Sequence, residues 1–398
     1  MDITITPGLL SGTLSAIPSK SQAHRYLICA AFSNGPTELI CPETNRDMDA
    51  TAGCLNALGA SITKTDLGFL VSPVKKVPQK AALFCHDSGS TLRFLLPVAG
   101  ALGVDTTFHL EGRLAMRPLS PLWEEMERMG CCLTRPTEHT IRCTGRLRAG
   151  TYTIDGGVSS QFITGLLLAL ALIPGESSIV LTGKVESLPY ITMTQQAMAR
   201  FGKQTEGYRI SGGTPFHTPK TLLVEGDWSN AAFFLAVSAL GSAVAVQNLN
   251  EDSAQGDRAV GRLLPRLEEK ITICAADIPD LVPILAVVAA CKQGAVFTDI
   301  HRLRLKESDR VASVIAMLKA LGGNAEADEN TLTVYGTGLR GGTVDSVNDH
   351  RIAMAAAIGA TVCQESVTIA GAECVEKSYP RFFEEYRRLG GIYEQYLR

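Results

Sequence analysis

The sequence predicts an α/β (α+β) protein of two domains, built from six repeats of a unit with two helices and several strands. Three observations support this prediction. Apolar helical runs recur along the 398 residues at a spacing of about 70, with one shorter step of about 50. Amphipathic runs fall between them at a constant phase, and short β-type runs separate the two kinds. A fixed period is typical of a repeat architecture, and ordinary α/β alternation with coincidental spacing is the alternative.

The apolar runs predict the core helices, three for each domain. Each run opens with small, polar or charged residues and then becomes apolar on all sides, which is typical of a buried helix. The runs begin at residues 19, 87, 159, 227, 278 and 348, with the sequences SKSQAHRYLICAAFSNG, DSGSTLRFLLPVAGALG, SSQFITGLLLALALIPG, DWSNAAFFLAVSALG, IPDLVPILAVVAACKQG and NDHRIAMAAAIGATV.

The amphipathic runs predict the outer helices, and most of them reach a glycine that suits a helix C-cap. The runs with this glycine are MDATAGCLNALGA, LSPLWEEMERMG, ITMTQQAMARFG, RVASVIAMLKALGG and YPRFFEEYRRLGG, whereas GRLLPRLEEK lacks it. Runs such as TYTID, SIVLTG, AVFTDI, TLTVYG and SVTIAG predict the strands. The stretch LLVEGDWSN places the domain break near residues 220–226.

Composition and charge indicate an ordinary globular protein. The chain is 45% hydrophobic and 19% charged, with a formal net charge of −3, which argues against binding nucleic acid through bulk positive charge. No apolar run is long enough to span a bilayer, and the N-terminal stretch does not resemble a secretory signal. The eleven cysteines therefore suggest thiols in a reducing compartment. The histidine and cysteine spacings argue against a metal site.

The starts of the apolar runs predict anion sites. A helix N terminus presents free backbone N–H groups and a partial positive charge. Taken singly, the Ser and Asp residues there are better explained as N-caps. Capping does not explain Lys20 and Arg25 in the first run, Arg93 in the second, or His350 and Arg351 in the last. A cation at a helix N terminus is unfavourable, and a bound anion would reverse that cost.

The segment EGRLAMRPLS carries Arg113 and Arg117, and Pro118 ends any helical turn there. Two arginines on a loop can clamp a phosphate or a carboxylate with paired hydrogen bonds. A solvated loop is the alternative interpretation.

The segment HRLRLKESDR concentrates charge in an otherwise nearly neutral chain. Arg302, Arg304 and Lys306 alternate as on one face of a strand, and a helix is expected to begin near Ser308. Glu307 lies between cations, which favour its ionised form unless burial opposes it. A surface network of salt bridges is the alternative.

Two further residues have two interpretations each. Asp280 follows a proline and opens an apolar run, so it is either an N-cap or a general base that faces cations and a substrate hydroxyl. Lys377 is either a surface lysine with a buried stem or a ligand for an anion.

Short motifs occur along the chain in the order found in one known family: SKSQAHR, DSGSTLR, GRLAMRP, SSQFITGLLLA, SLPYITMT, EGDWSNAAFFL, LKESDR, NDHRIAM and EKSYPRF. The set resembles the 5-enolpyruvylshikimate-3-phosphate synthase family, or 3-phosphoshikimate 1-carboxyvinyltransferases, from about residue 7 to 386. The resemblance implies a two-domain inside-out α/β barrel with three repeats per domain. It also implies a discontinuous lower domain of residues 1–18 plus 222–398, an upper domain of residues 19–221, and an active site in the cleft between them.

The resemblance implies transfer of the enolpyruvyl group of phosphoenolpyruvate to the 5-hydroxyl of shikimate 3-phosphate, with release of phosphate. The reaction is an addition and elimination through a tetrahedral intermediate, without a metal or cofactor, on the shikimate pathway to chorismate and the aromatic amino acids. Both substrates are multiply anionic, which accounts for the cation-rich segments. The resemblance further implies a monomeric, cytoplasmic enzyme, a target of glyphosate, whose partners are small-molecule substrates and neither nucleic acid nor a membrane.

Site residues follow from the resemblance by position. Those implied to bind shikimate 3-phosphate are Lys20, Ser21, Arg25, Ser159, Ser160, Gln161, Ser187, Tyr190, Asp280 and Lys306. Those implied to bind phosphoenolpyruvate are Lys20, Gly89, Arg117, Gln161, Arg310, Arg351 and Lys377. The implied catalytic residues are Lys20, Lys306, Asp280 and Glu307. Asp280 would take the proton of the attacking hydroxyl, and Glu307 would protonate the methylene carbon with help from Lys306 or Lys377.

Two positions depart from the family pattern, since Asp87 stands where many members have Asn, and Arg302 where some have Asn. UDP-N-acetylglucosamine enolpyruvyl transferase is the alternative function. Its first motif usually pairs Lys with Asn and it usually has a reactive cysteine, whereas Ser21 follows Lys20 here and EGRLAMRP has no cysteine. An RNA-binding repeat protein is disfavoured by the 6% aromatic content and the negative net charge.

Overall fold

The structure, a computed structural model, describes residues 1–396. They form two compact units. The discontinuous unit consists of Met1–Ile17 and the segment that starts at Gly226, and the inserted unit is Pro18–Glu225. Helices and strands are numbered in chain order through the two units. No helix among the described residues is apolar and long enough to cross a membrane.

The inserted unit, all of whose residues the structure describes, contains the first six helices and eleven strands. The helices are α1 Lys20–Ala31, α2 Arg46–Ala57, α3 Gly89–Leu102, α4 Leu122–Arg128, α5 Ser160–Leu170 and α6 Leu188–Arg200. The strands are β3 Thr37–Ile40, β4 Ser61–Thr65, β5 Gly68–Ser72, β6 Lys80–His86, β7 Asp105–Leu110, β8 Cys131–Thr137, β9 Thr140–Gly145, β10 Thr151–Asp155, β11 Gly175–Thr182, β12 Arg209–Gly212 and β13 Thr221–Leu223.

The discontinuous unit begins with β1 Asp2–Thr6 and β2 Ser11–Ser15. Its helices are α7 Trp228–Ala239, α8 Val260–Leu263, α9 Val282–Cys291, α10 Arg310–Ala320, α11 His350–Ala360 and α12 Phe382–Arg388. Its other strands are β14 Ala243–Gln247, β15 Ile271–Cys274, β16 Ala295–Thr298, β17 Asn324–Ala327, β18 Thr331–Tyr335, β19 Gly342–Asp345, β20 Val367–Ala370 and β21 Ile392–Tyr396.

The sheets show the repeat directly. In the inserted unit the strand orders are β13-β3-β5-β4, β6-β7-β9-β8 and β10-β11-β12. In the discontinuous unit they are β15-β16-β18-β17, β19-β20-β1-β21 and the pair β14-β2. Each sheet starts with a parallel pair, and every strand added after that pair is antiparallel to its neighbour. The α/β fold class and the repeated unit predicted from the sequence are therefore present.

The apolar runs form the core helices of each unit. In the inserted unit, every residue of α5 except Gln161 is buried. Helices α3 and α5 pack so closely at Gly165 that an added Cβ would collide with the backbone oxygen of Arg93. Only glycine permits this approach. In the discontinuous unit, all of α11 is buried. The N-terminal residues of α5 and α11, predicted as anion sites, lie directly after the caps Ser159 and Asp349.

Two local predictions are wrong. The run GRLLPRLEEK does not form a full outer helix. Helix α8 is a single turn, flanked by the 3-10 turns Gly256–Ala259 and Leu264–Glu268. The proline in Leu264–Glu268 has no N–H for an α-helical hydrogen bond. The alternation of Arg302, Arg304 and Lys306 is not a strand, because His301–Leu305 is a 3-10 turn.

Candidate active site

The first helix of the inserted unit begins with a cation that has a buried counter-charge. Ser19 caps α1 by accepting a hydrogen bond from the Gln22 N–H, and Lys20 is the first helical residue. The Lys20 Nζ lies 2.8 Å from the Asp47 carboxylate, which is 5% exposed. The carboxylate offsets the unfavourable position of a cation at a helix N terminus. Sequence reasoning missed Asp47, although its place in the first turn of α2 was a visible signal.

Gly89 and Arg117 are in direct contact. Ser88 caps α3, and Gly89 is its first residue. Arg117 follows the 3-10 turn Gly112–Met116, so the predicted loop arginine is brought to a helix start. A Cβ added at Gly89 would lie 2.7 Å from Arg117 Nη1. The absence of a side chain at Gly89 therefore leaves room for the guanidinium beside the N terminus of α3.

Arg25 joins the start of α1 to the start of α6. Its guanidinium is 2% exposed and donates to the Ser21 carbonyl at 2.6 Å and to the Tyr190 carbonyl at 3.0 Å. It also lies over the Phe94 ring, 5.0 Å from the ring centre. Burial lowers the pKa of Arg25 to about 10, so the guanidinium stays charged at neutral pH. Three residues predicted to bind one substrate thus form one cluster.

The start of α5 is tied to α3 by Gln161. The Gln161 amide donates to Ser90 Oγ at 3.0 Å and accepts from Arg93 Nη1 at 2.7 Å. Ser159 caps the helix and Ser160 is its first residue, and both are nearly buried. The basic residue of the second apolar run therefore orients Gln161, whose side-chain amide lies at the two helix starts.

Ser187 has an unusual backbone conformation. It precedes α6 with a φ of 55°, in the left-handed region, and its side chain makes no capping hydrogen bond to the helix. A non-glycine residue held in this region is strained, and such residues concentrate at functional sites. The Ser187 side chain is nearly buried.

The discontinuous unit places a buried arginine among three carboxylates. Arg310 is 1% exposed. Its three nitrogens contact Asp280 at 2.5 Å, Glu307 at 2.7 Å and Asp349 at 2.9 Å. Asp280 precedes α9, whose cap position is Leu281, and it makes no cap for that helix. The N-cap interpretation of Asp280 is therefore wrong.

Two more cations face Asp280. Lys306 Nζ lies 3.6 Å from one Asp280 oxygen and Arg351 Nη2 lies 3.5 Å from the other. The family resemblance implied six site residues in this unit, and the structure brings five of them together, namely Asp280, Lys306, Glu307, Arg310 and Arg351. The sixth, Lys377, ends the 3-10 turn Ala372–Lys377 and is 6% exposed, so it is not a surface lysine.

Burial and the charges of this cluster shift the pKa values of Asp280 and Lys306. Burial opposes ionisation of Asp280, but Lys306 and Arg351 hold the pKa of its carboxyl well below the usual range. Burial lowers the pKa of Lys306 to about 8, with Asp280 acting in the opposite direction. An ammonium with this pKa can donate a proton near neutral pH, whereas the lowered pKa of Asp280 makes its carboxylate a weak base in the free protein.

Asp349 is the main residue of this cluster that sequence reasoning missed. It is fully buried, caps α11 by accepting from the Arg351 N–H at 3.0 Å, and accepts from Ser308 Oγ at 3.0 Å. Its position directly before the His-Arg pair at the start of an apolar run was the available signal. Arg302, the departure from the family pattern, is 8% exposed.

Both units carry cations and polar side chains at the N termini of buried helices, a combination suited to an enzyme for anionic substrates. The model of the EPSP synthase (3-phosphoshikimate 1-carboxyvinyltransferase) family matches residues 5–277 and 265–386. The chain belongs to this family.

Individual relatives agree. The chain is 37% identical to the 3-phosphoshikimate 1-carboxyvinyltransferase of Clostridium kluyveri, over 99% of this chain and 98% of the relative. It is 35% identical to that of Clostridium beijerinckii, over 99% of both chains. Two structures of EPSP synthase from Acinetobacter baumannii share the fold, with TM-scores of 0.82 and 0.81 at 24% and 23% identity. They cover 99% and 100% of this chain, each over 100% of its own length.

As a member of this family, the protein is a transferase that moves the enolpyruvyl group of phosphoenolpyruvate to shikimate 3-phosphate. The alternative acceptor, UDP-N-acetylglucosamine, is not favoured, because the family that matches along the chain is the shikimate 3-phosphate one.

Proposed function

We propose that the residues described above divide the work of this reaction as follows. Shikimate 3-phosphate is bound by Lys20, Ser21, Arg25, Ser159, Ser160, Gln161, Ser187, Tyr190, Asp280 and Lys306. Phosphoenolpyruvate is bound by Lys20, Gly89, Arg117, Gln161, Arg310, Arg351 and Lys377. Because one reaction joins the two substrates, the two sets of residues must bind their substrates at the same time. The observation that carries the proposal is the Asp280 carboxylate held among Arg310, Lys306 and Arg351.

In the addition step, the 5-hydroxyl oxygen attacks C2 of phosphoenolpyruvate while its proton passes to Asp280. The π electrons of the C2–C3 bond take a proton at C3. Glu307 delivers this proton after receiving it from Lys306, whose pKa is lowered by burial to about 8, or from Lys377. The product of this step is a tetrahedral intermediate that still carries the phosphate.

In the elimination step, a proton leaves C3, the C2–C3 double bond forms again, and the bond between C2 and the phosphate oxygen breaks. The C3 proton returns to the group that supplied it, and inorganic phosphate departs with the proton that Asp280 had taken from the hydroxyl. Arginines that are already in place stabilise the charge on the leaving phosphate without reorganisation.

The basicity of Asp280 depends on the substrates. In the free protein the surrounding cations make it a weak base. A bound phosphate or carboxylate neutralises part of that positive field, and an opposite charge near a carboxylate is what keeps its pKa low. Substrate binding therefore raises the proton affinity of Asp280 when the attacking hydroxyl is beside it.

Arg117→Ala tests the division between substrates. Since Arg117 contacts the start of α3 at Gly89, its loss should raise the KM for phosphoenolpyruvate by roughly tenfold or more and the KM for shikimate 3-phosphate much less. Ser160→Ala is the matched variant for the other substrate and should show the opposite preference. Equal weakening of both substrates by Arg117→Ala would contradict its assigned role.

Location and assembly complete the proposal. A cytoplasmic location is supported by the eleven cysteines, which are all free thiols, as a reducing compartment requires.

A monomer is proposed because this chain alone supplies both sets of substrate-binding residues. Light scattering on the eluting peak of a gel-filtration column measures the mass directly, and a mass near 42.5 kDa is expected.

A further inference from the structure

Two adjacent residues of α1, His24 and Arg25, each start a separate buried chain of hydrogen bonds within the inserted unit. Both side chains are nearly or fully buried. They lead to different pairs of helices, and each chain contains a pair of threonines whose hydroxyls bond to each other. Neither threonine pair belongs to the proposed substrate-binding residues.

The His24 chain connects α1 to α2 and α3. His24 Nδ1 lies 2.7 Å from Thr51 Oγ1, which lies 2.7 Å from Thr91 Oγ1. Thr91 donates to Ser88 Oγ at 2.8 Å, and Ser88 is the cap that immediately precedes Gly89. All four side chains are at most 1% exposed.

This chain of hydrogen bonds ends at the cap that precedes Gly89, which is proposed to bind phosphoenolpyruvate, and it passes the Asp47–Lys20 pair, whose lysine is proposed to bind both substrates. Thr51 belongs to α2, whose Asp47 pairs with Lys20, and Thr91 also approaches the Asp47 carbonyl at 3.5 Å. One end of the chain therefore fixes the cap of α3, and its middle fixes α2, whose Asp47 pairs with Lys20. Burial lowers the pKa of His24 to about 3, so the chain carries no net charge of its own.

The Arg25 chain connects α1 to α5 and α6. Arg25 Nε donates to Thr194 Oγ1 at 2.8 Å, and Arg25 Nη2 contacts Thr164 Oγ1 at 3.3 Å. The two hydroxyls lie 2.8 Å apart, and Thr194 also donates to the Tyr190 carbonyl at 2.9 Å. Both threonines are fully buried. These helices begin with the groups proposed to bind shikimate 3-phosphate.

Buried hydroxyls in such chains have large local effects. Removing one hydroxyl leaves its buried partners unpaired, and they recover hydrogen bonds only if the helices shift. The two chains share no side chain, so a shift caused by one need not reach the other. A displacement of a fraction of an ångström at a binding group is enough to weaken a substrate.

We propose that the two chains are separate positioning networks, in which Thr51 and Thr91 set the phosphoenolpyruvate groups and Thr164 and Thr194 set the shikimate 3-phosphate groups. Thr91 and Thr194 are then positioning residues with opposite substrate preferences. This inference rests on the substrate assignments proposed above.

The test compares Thr91→Val with Thr194→Val, each of which replaces a hydroxyl with a methyl group of similar size. Steady-state kinetics give the KM for each substrate with the other at saturation. Thr91→Val should raise the KM for phosphoenolpyruvate about fivefold or more and that for shikimate 3-phosphate less than about twofold. Thr194→Val should show the reverse. Thr91→Ser and Thr194→Ser keep the hydroxyl and should restore the wild-type ratio of the two constants.

A purely structural role predicts a different result. It lowers the thermal stability of both valine variants and raises both KM values by the same factor, or leaves both unchanged, and either result overturns the proposal. If Thr91→Val does not fold, Thr51→Val removes the neighbouring hydroxyl of the same hydrogen-bond chain. It should likewise raise the KM for phosphoenolpyruvate more than the KM for shikimate 3-phosphate.

Arg117→Ala separates failure of this inference from failure of the substrate assignments. If Arg117→Ala weakens phosphoenolpyruvate selectively while Thr91→Val does not, the assignments stand and the positioning network is rejected. If neither variant is selective, the assignment of the phosphoenolpyruvate groups is itself wrong.

Discussion

Arg310 and Asp349 form a completely buried ion pair, with Arg310 Nε 2.9 Å from the Asp349 carboxylate. Asp349 also caps α11, so one carboxylate fixes both the helix that begins His350-Arg351 and the guanidinium that holds Asp280. Because Arg310 contacts Asp280 and Glu307 as well, this pair sets the relative positions of the proposed base and proton donor.

Asp280→Asn should leave both KM values within about threefold of wild type and lower kcat by a factor of about 100 or more, as expected when a general base is removed. The amide keeps the shape of the side chain and a hydrogen-bonding oxygen. Initial rates of phosphate release measure the effect. A kcat near that of the wild type would remove Asp280 as the base.

Asp349→Asn should destabilise the protein by about 3 kcal/mol or more, because it leaves the Arg310 charge buried with one carboxylate fewer. Denaturant unfolding measures this loss. Asp309→Asn is the matched control, since Asp309 caps α10 on a side chain that is 38% exposed, and Asn caps helices about as well as Asp. Equal stability losses in the two variants would contradict a special role for the buried pair.

Gly89→Ala should raise the KM for phosphoenolpyruvate roughly tenfold or more, because the new Cβ would lie 2.7 Å from Arg117 Nη1 and displace the guanidinium. Gly53→Ala, in α2, is the control, since a Cβ there meets no described atom within 4 Å. Alanine in a helix is slightly stabilising relative to glycine, so this variant should retain wild-type kinetics. A wild-type KM in Gly89→Ala would show that Arg117 does not bind this substrate.

The pKa of Lys306, lowered by burial to about 8, predicts a fall in kcat/KM for shikimate 3-phosphate as the pH rises through 8, since the neutral amine no longer attracts an anion. The stability effect has the opposite direction. Between pH 8 and about 10.4, the ordinary value for lysine, the unfolded chain binds more protons at this residue than the folded one, so this group makes the free energy of unfolding rise with pH.

Lys306→Arg tests that interpretation, because a guanidinium stays charged throughout this range. The fall above pH 8 should disappear in the variant, whatever its absolute rate. A wild-type profile that is level from pH 7 to 10, or a variant profile that keeps the same fall, would contradict the assignment of this pKa to Lys306.

Local sequence patterns predicted the core helices well because a helix that is buried on every side is apolar at nearly every position. The run FITGLLLALALI is apolar on every side and forms most of the buried α5. Patterns failed where backbone geometry decided the outcome. Asp299 has a φ of 56° directly after β16, and the chain then enters the 3-10 turn His301–Leu305, which overrides the alternation of charged residues that had indicated a strand.

The partners within the site were beyond the reach of local patterns. Asp47 lies 27 residues from Lys20, and Asp349 lies 39 residues from Arg310. Only the packing of different helices brings these side chains together. The threonine pairs are hidden for the same reason, since a threonine within an apolar helix has no sequence signal for the hydroxyl that it meets.

The most direct test of the account is phosphorus NMR on the purified protein with phosphoenolpyruvate, shikimate 3-phosphate and excess EDTA. We predict that inorganic phosphate and a new phosphorylated product appear together, only when both substrates are present, and at a rate that EDTA does not change. Phosphate release with UDP-N-acetylglucosamine in place of shikimate 3-phosphate, or no release with either acceptor, would contradict it.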